Sequence, residues 1–343
     1  MRRIFVGRER KRQARHRVSL SISVALCTHN GSRFVAEQVR SILSQSRLPR
    51  EIVLSDDASS DDTVEIVRNE VAAFNQGRPE TITLIVRENT PALGVTKNFE
   101  QAIRLCTSDL VALADQDDVW VPEKLARMAS EFDARPDLTL LHANLKLVDA
   151  QLNSLGADMF TVYRVSNWEF ESIHDGRAID VLVRRNLVTG ASSMFRRALL
   201  DVAQPLPKAW IHDEWLGIVA SVSGRVDVLD EPLVLYRQHG GNQIGAARMN
   251  LRHYIGRMIF SRTDRNARLL ARATQMAEHP VFATRPAMRE IAIDKLAHET
   301  ARWNFPASRL RRLGPVLRER RTGRYQRFGL GIQDIARDLI QPV

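Results

Sequence analysis

The sequence predicts an α/β fold, a mostly parallel sheet with flanking helices, followed by a basic helical appendage. Three observations predict it. Short β-rich apolar runs alternate with stretches of helical periodicity over roughly the first 135 residues. Acidic and polar residues gather just after those runs, where open parallel sheets place their ligand sites. From about residue 248 onward, Arg-rich segments carry apolar residues three and four apart, the pattern of amphipathic helices.

The elements follow in order. ISVALCT (22–28) reads as a first strand, and Phe34, Val35, Val39, Ile42 and Leu43 set a helix over 33–46. EIVLSD (51–56) is a second strand, with a helix from about 61 to 75. ITLIVRE (82–88) is a third, with a helix from about 95 to 106. LVALAD (110–115) is a fourth, and Pro122 suits the first turn of a helix running to about 134. TLLHANLKLVD (139–149) reads as a longer strand, and 150–177 as irregular and polar. TGASSMFR (189–196) is a strand of small residues, 211–224 a helix with an acidic start and a Gly stop. Residues 226–239 read as two short strands broken by Pro232, followed by a glycine-rich loop, GGNQIGA (240–246). The chain thus divides into a basic arm (1–19), an α/β domain (20–247) and an Arg-rich helical region (248–343).

Composition narrows the class. Apolar residues at 44% and charged ones at 26% of 343 residues suit a globular protein with a sizeable core. Cys27 and Cys106 stand far apart in apolar segments without metal spacing, which reads as reduced core thiols in a cytoplasmic protein. No apolar run approaches the length of a spanning helix, and the basic N-terminus lacks the apolar stretch of a signal peptide. The net charge of +10 is uneven: +7 in residues 1–17, +12 in 248–343, and −9 in between. Basic ends suit nucleic acid, an anionic membrane surface, or solubility. The acidic centre, the 6% aromatic content and the lack of an RNA-binding signature argue against nucleic acid.

The acidic centre has a focus. LADQDDVW (113–120) sets Asp115, Asp117 and Asp118 within four positions after an apolar run. A strand-to-helix turn accounts for one Asp readily and for three poorly, because like charges this close repel unless a cation or a set of donors holds them. Thr28, His29, Asn30 and Gly31 end the first strand, and Asp56 and Asp57 end the second. Parallel strands open these ends onto one edge.

In that order THNG (28–31), SDDASSDDT (55–63), DQDDVW (115–120), HDEW (212–215) and YRQHGGNQIGA (236–246) resemble family 2 glycosyltransferases of the GT-A fold, the last two motifs most closely the bacterial rhamnosyltransferase-like branch. The resemblance covers about residues 20–247. It implies a nucleoside-diphosphate sugar donor, a Mg²⁺ or Mn²⁺ ion, and inversion at the anomeric carbon. Hard cations of this kind take oxygen ligands, with substrate phosphates filling several positions. By resemblance Asp117 is the direct ligand, Asp118 a ligand or an orienting neighbour, and Asp115 a partner of the ribose. Thr28, Asn30 and Asp57 would line base and ribose, with Glu37 and Asp56 close by. A carboxylate accepts the imide N–H of uracil or thymine, so a UDP- or dTDP-sugar is expected, with rhamnose on resemblance alone. Lys97 and Asn98 reach the donor or merely start a solvated helix. Asp213 is the expected catalytic base, with the alternatives that it caps the following helix or that His212 or Glu214 replaces it. Trp215 is a packing residue or a wall of the acceptor pocket. Arg237 and His239 would meet phosphate oxygens or, for His239, the metal. Gly240, Gly241 and Gly245 suit a lid.

The expected acceptor is a saccharide or a lipid-linked saccharide in cell-surface polysaccharide synthesis, O-antigen among them. A protein at the inner face of the plasma membrane fits the basic tail, which would bind an anionic surface or simply pack on the catalytic domain with its arginines solvated. Two other readings stay open: a catalytically degenerate nucleotide- or nucleic-acid-binding protein on the same fold, and a nucleotidyltransferase. The second should carry a glycine-rich phosphate loop near the first strand, where THNGSR offers one Gly and Arg33.

Overall fold

The computed structural model describes residues 19–239 and 261–342. The basic arm up to residue 18 and the glycine-rich loop with Gly240, Gly241 and Gly245 lie outside them. The described strands form one nine-stranded sheet. Its first half is the expected alternation: β1 Ile22–Thr28, α1 Val35–Leu43, β2 Glu51–Asp56, α2 Thr63–Asn75, β3 Thr83–Glu88, α3 Val95–Leu105 and β4 Leu110–Asp115. These four strands pair in parallel, in the order β3-β2-β1-β4. β1, β2 and β4 are buried on both faces, which is why they read as unbroken apolar runs. Val24 and Leu26 enter one core with Val39 and Ile42, while Ala25 and Cys27 enter the other with Phe99 and Ile103.

The register fixes the site. Thr28 lies opposite Asp56, and Cys27 lies opposite Asp115. The ends of β1, β2 and β4 are therefore level, and the residues beyond them share one edge.

The second half is mixed. β5 Val119–Trp120 and α4 Lys124–Ala134 lead into β6 Leu138–Val148. The stretch expected to be irregular is structured: β7 Ser154–Asp158, α5 Met159–Tyr163, α6 Asn167–His174 and α7 Ala178–Leu182. Ser166 and Glu169 form a capping box at the start of α6, a signal visible in SNWE. Only Ser193–Arg196 of the expected 189–196 strand is extended, as β8; a single 3₁₀ turn, Gly190–Ser192, precedes it. α8 Leu200–Ala203, α9 His212–Ser223 and β9 Arg225–Arg237 follow. The pair of strands expected around Pro232 is one strand. Its register on β6 jumps from Ala143↔Leu229 to Asn144↔Pro232, so the proline sits in a bulge where a missing N–H breaks no ladder bond.

The C-terminal region is helical as expected: α10 Arg262–Glu278, α11 Pro280–Ala283, α12 Pro286–Trp303, α13 Arg309–Arg321, α14 Arg324–Phe328 and α15 Ile332–Ile340. It packs on the α/β domain. Met276, Phe282, Ile291 and Phe328 join the core that holds Trp215 and Val219. Its arginines are not all solvated. Arg302 is 1% exposed, and donates to Asp338 Oδ2 at 2.7 Å and Glu299 Oε2 at 3.0 Å. Among the described residues no helix is long and apolar enough to cross a membrane. Cys27 and Cys106 are free and buried as expected, and burial pushes the Cys106 thiol up to about 12.

Candidate active site

The loop after β4 carries the acids. Asp117 lies on the wall of a cavity of about 950 Å³, with its Oδ2 2.8 Å from His239 Nε2. Asp115, the last residue of β4, lines the same cavity. Burial, and then the charges of Asp117 and Asp213, push its carboxyl up to about 7. Asp118 faces the other way. It is fully buried, and its Oδ1 accepts the Arg237 backbone N–H at 3.1 Å. Among the described residues its Oδ2 has no hydrogen-bond partner, and burial, with Asp117 and Asp115 nearby, raises its pKa well above the usual carboxylate range. Lys124 lies close enough to oppose both shifts, and burial pulls its own pKa well below the usual lysine range. That lysine is buried over the Trp120 ring at 3.4 Å and donates to the Ala191 carbonyl at 2.8 Å. Nothing in the sequence pattern singled it out.

Arg237 supports this loop from behind. It donates from Nε to the Asp117 carbonyl at 2.7 Å, from Nη1 to the Ala150 carbonyl at 2.6 Å, and from Nη2 to Glu37 Oε2 at 2.5 Å. Arg237 and Glu37 therefore hold the acidic loop in place and do not line the cavity. Lys97 is also outside it, paired with Glu100 and donating to the Leu206 carbonyl at 3.1 Å.

The wall formed by β1 and β2 holds Thr28, Asn30, Asp57 and Asn98. Asp56 sits behind it. Its carboxylate accepts from Thr28 Oγ1 at 2.6 Å, Ser59 N at 2.8 Å and Ser59 Oγ at 2.6 Å, so it shapes the turn. Asp57 accepts from the backbone N–H of Leu93 at 2.6 Å and of Gly94 at 2.8 Å. Asn98 donates to the Ser55 carbonyl at 2.9 Å. Asn30 adopts a left-handed φ of 48°, which Asn tolerates, and its Oδ1 accepts from Ser60 N at 2.8 Å. Gln116, also missed by sequence reading, staples the two motifs: it accepts from His29 N at 2.8 Å and donates to the His29 carbonyl at 3.1 Å. A Cβ on Gly31 would press on this amide, which would have to shift and give up its hydrogen bonds to His29.

The start of α9 also lines the cavity. Asp213 accepts at Oδ2 from Gly190 N at 2.9 Å and at Oδ1 from Glu214 N at 2.7 Å. Burial raises its pKa to about 6, against the pull of those N–H groups. His212 is stacked on Phe99 at 3.9 Å, and burial lowers it to about 3, which makes it a poor base. Glu214 forms an ion pair with Arg272 of α10 at 2.5 Å. Trp215 is fully buried and donates to the Ala203 carbonyl at 2.8 Å, so it packs. His212, Asp213 and Glu214 all line the cavity; Glu214 is paired with Arg272, and Asp213 has the pKa suited to taking a proton.

Among the described residues no group of three or more His, Cys, Asp or Glu is arranged to hold a metal ion. Asp117 and His239 are the two expected ligands that face the cavity, and Asp118 stands behind them. One carboxylate and one imidazole, with room for substrate phosphates, fit a Mg²⁺ or Mn²⁺ ion.

The family model for glycosyl transferase family 2 matches residues 23–201. The chain belongs to glycosyl transferase family 2. Its family domain ends before α9, so Asp213, His239 and the C-terminal helices lie beyond the matched segment. Among relatives of this family 2 chain, an uncharacterized glycosyltransferase of Nostoc sp. is 27% identical over 229 residues, 65% of this chain and 66% of its own length. The dTDP-rhamnosyl transferase RfbG of Shigella flexneri is 26% identical over 233 residues, 64% of this chain and 74% of its own. The fold is similar to that of Staphylococcus aureus TarS, residues 1–349, in complex with UDP-GlcNAc. The TM-score is 0.56 at 20% identity, over 82% of this chain and 72% of that one. The GT-A type of sheet expected from the sequence is thereby found.

Proposed function

We propose that the protein is an inverting, metal-dependent glycosyltransferase of cell-surface polysaccharide synthesis. It moves a hexose such as rhamnose from a dTDP- or UDP-sugar to a saccharide or lipid-linked saccharide on the cytoplasmic side. One observation carries the proposal: a single cavity is lined by Asp115, Asp117 and His239 together with Asp213. The relatives support the donor class, since one is named for dTDP-rhamnose transfer.

Asp117 and His239 would hold a Mg²⁺ or Mn²⁺ ion, which supplies counter-charge for a diphosphate leaving group. Thr28, Asn30 and Asp57 bind the nucleoside. Asp57 is oriented before any ligand arrives, because Oδ1 accepts from Leu93 N and Asn89 Nδ2 and Oδ2 from Gly94 N, and Oδ2 retains a lone pair for a base N–H. Asp115 accepts from the ribose. Asp213 removes the proton from the acceptor hydroxyl. The freed oxygen attacks the anomeric carbon from the side opposite the diphosphate. A new C–O bond forms as the old one breaks, and the electron pair leaves on the phosphate oxygen, which inverts the configuration.

Calorimetric titration with dTDP, UDP, GDP and CDP, with and without Mn²⁺, tests this. Mn²⁺-dependent binding of dTDP or UDP that disappears in Asp117→Ala is the expected result. Folded protein that binds no nucleotide would overturn the proposal and favour a degenerate fold.

A further inference from the structure

Helix α13 (RLRRLGPVLRERR) presents an outer face that no described element covers. Leu310 is 90% exposed, Leu313 52% and Leu317 40%. They stand three and seven positions along the helix and so form one stripe. The helical turn puts Arg311 and Arg318 along one border of that stripe, Arg309 and Arg320 along the other, and Arg321 at its C-terminal end. All five arginines are exposed.

The helix is not free to roll this face inward. Its opposite side holds Arg312, Val316 and Glu319, all buried. The Arg312 guanidinium donates to the carbonyls of Pro306 at 2.8 Å, Ala307 at 2.6 Å, Asp338 at 2.9 Å and Gln341 at 2.7 Å. Glu319 Oε1 lies 2.8 Å from His298 Nδ1. The leucines are held outward by this anchoring.

We infer that α13 is a membrane-docking helix that lies in the plane of an anionic lipid surface. A leucine stripe bordered by two arginine rows is what such a surface takes. The leucines enter the acyl boundary, the long arginine stems follow them, and the guanidinium groups stay with the lipid phosphates. The charge is complementary, because the region from residue 248 onward carries +12. Solubility alone would be served by the arginines without three exposed leucines between them. The inference does not depend on the chemistry proposed above.

The test is sedimentation of the full-length protein with phosphatidylglycerol/phosphatidylethanolamine vesicles and with phosphatidylcholine vesicles, at low and high salt. The variants are Leu310→Ser/Leu313→Ser/Leu317→Ser and Arg309→Gln/Arg311→Gln/Arg318→Gln/Arg320→Gln. Both change only exposed positions, and an unchanged thermal midpoint confirms their folding. The expected result is binding to the anionic vesicles at low salt, weakened about tenfold or more by high salt and by either variant. Three results would overturn the inference. One is wild-type protein left in the supernatant, and another is a leucine variant that binds like wild type. The third is light scattering in which the leucine variant turns a dimer into monomers without vesicle binding, which would make the stripe a contact between two copies of the chain.

Discussion

Asp213 shows how surroundings turn an ordinary carboxylate into a candidate base. Burial lifts it to about 6, and two backbone N–H groups stop the rise there. A base must be ionised to accept a proton, so the active form accumulates above about pH 6. The expected pH profile of kcat/KM has an acidic limb near that value, falling about tenfold per unit below it. Asp213→Asn should lower kcat by about 10²–10⁴-fold with nucleotide binding retained; full activity in that variant would remove Asp213 from the mechanism. The same local reasoning demotes three expected donor contacts. Glu37, Asp56 and Arg237 have the right chemistry, but their hydrogen bonds go to the loops that carry the site. A motif shows that a carboxylate is present and cannot show which partner it finds.

At the scale of elements, the site is made by the level ends of β1, β2 and β4 and closed by α9. Those strands were legible because burial on both faces leaves a local signature, and because acids at strand ends stand out against apolar runs. The contribution of α10 was not legible. Arg272 donates to the Ala209 carbonyl at 2.7 Å, lies over the Trp210 ring and pairs with Glu214. Its charge also lowers the pKa of Asp213. In Arg272→Met the acidic limb should therefore move upward, by about half a unit to one unit, and Arg272→Lys should restore most of it. A uniform loss of activity with the limb unmoved would show that the arginine only packs. Arg272 stands about 60 residues from Asp213 in sequence, among nineteen other basic residues of the tail, and no periodicity marks it.

At the scale of the molecule, the boundary expected near residue 247 separates two compositions but not two cores. Met276, Phe282 and Phe328 share one apolar cluster with Trp215 and Phe99. Removing residues 261–343 would expose that cluster, so the shortened chain should aggregate or lose cooperative unfolding. Calorimetry of the whole protein should show one transition; two resolved transitions, with the first 247 residues folding alone, would refute the shared core.

The sequence by itself determined the alternation of strands and helices, the edge on which the acids gather and the family. Each is written in residues close together in the chain, through periodicity, strand-end polarity and short motifs. Only the tertiary structure decided which of those acids face the cavity and which brace it. The partners that decide this, Arg237 for the acidic loop, Gln116 for THNG and Arg272 for HDEW, come from other elements. Hydrogen bonds and charges act over a few ångströms of space, whatever the distance along the chain.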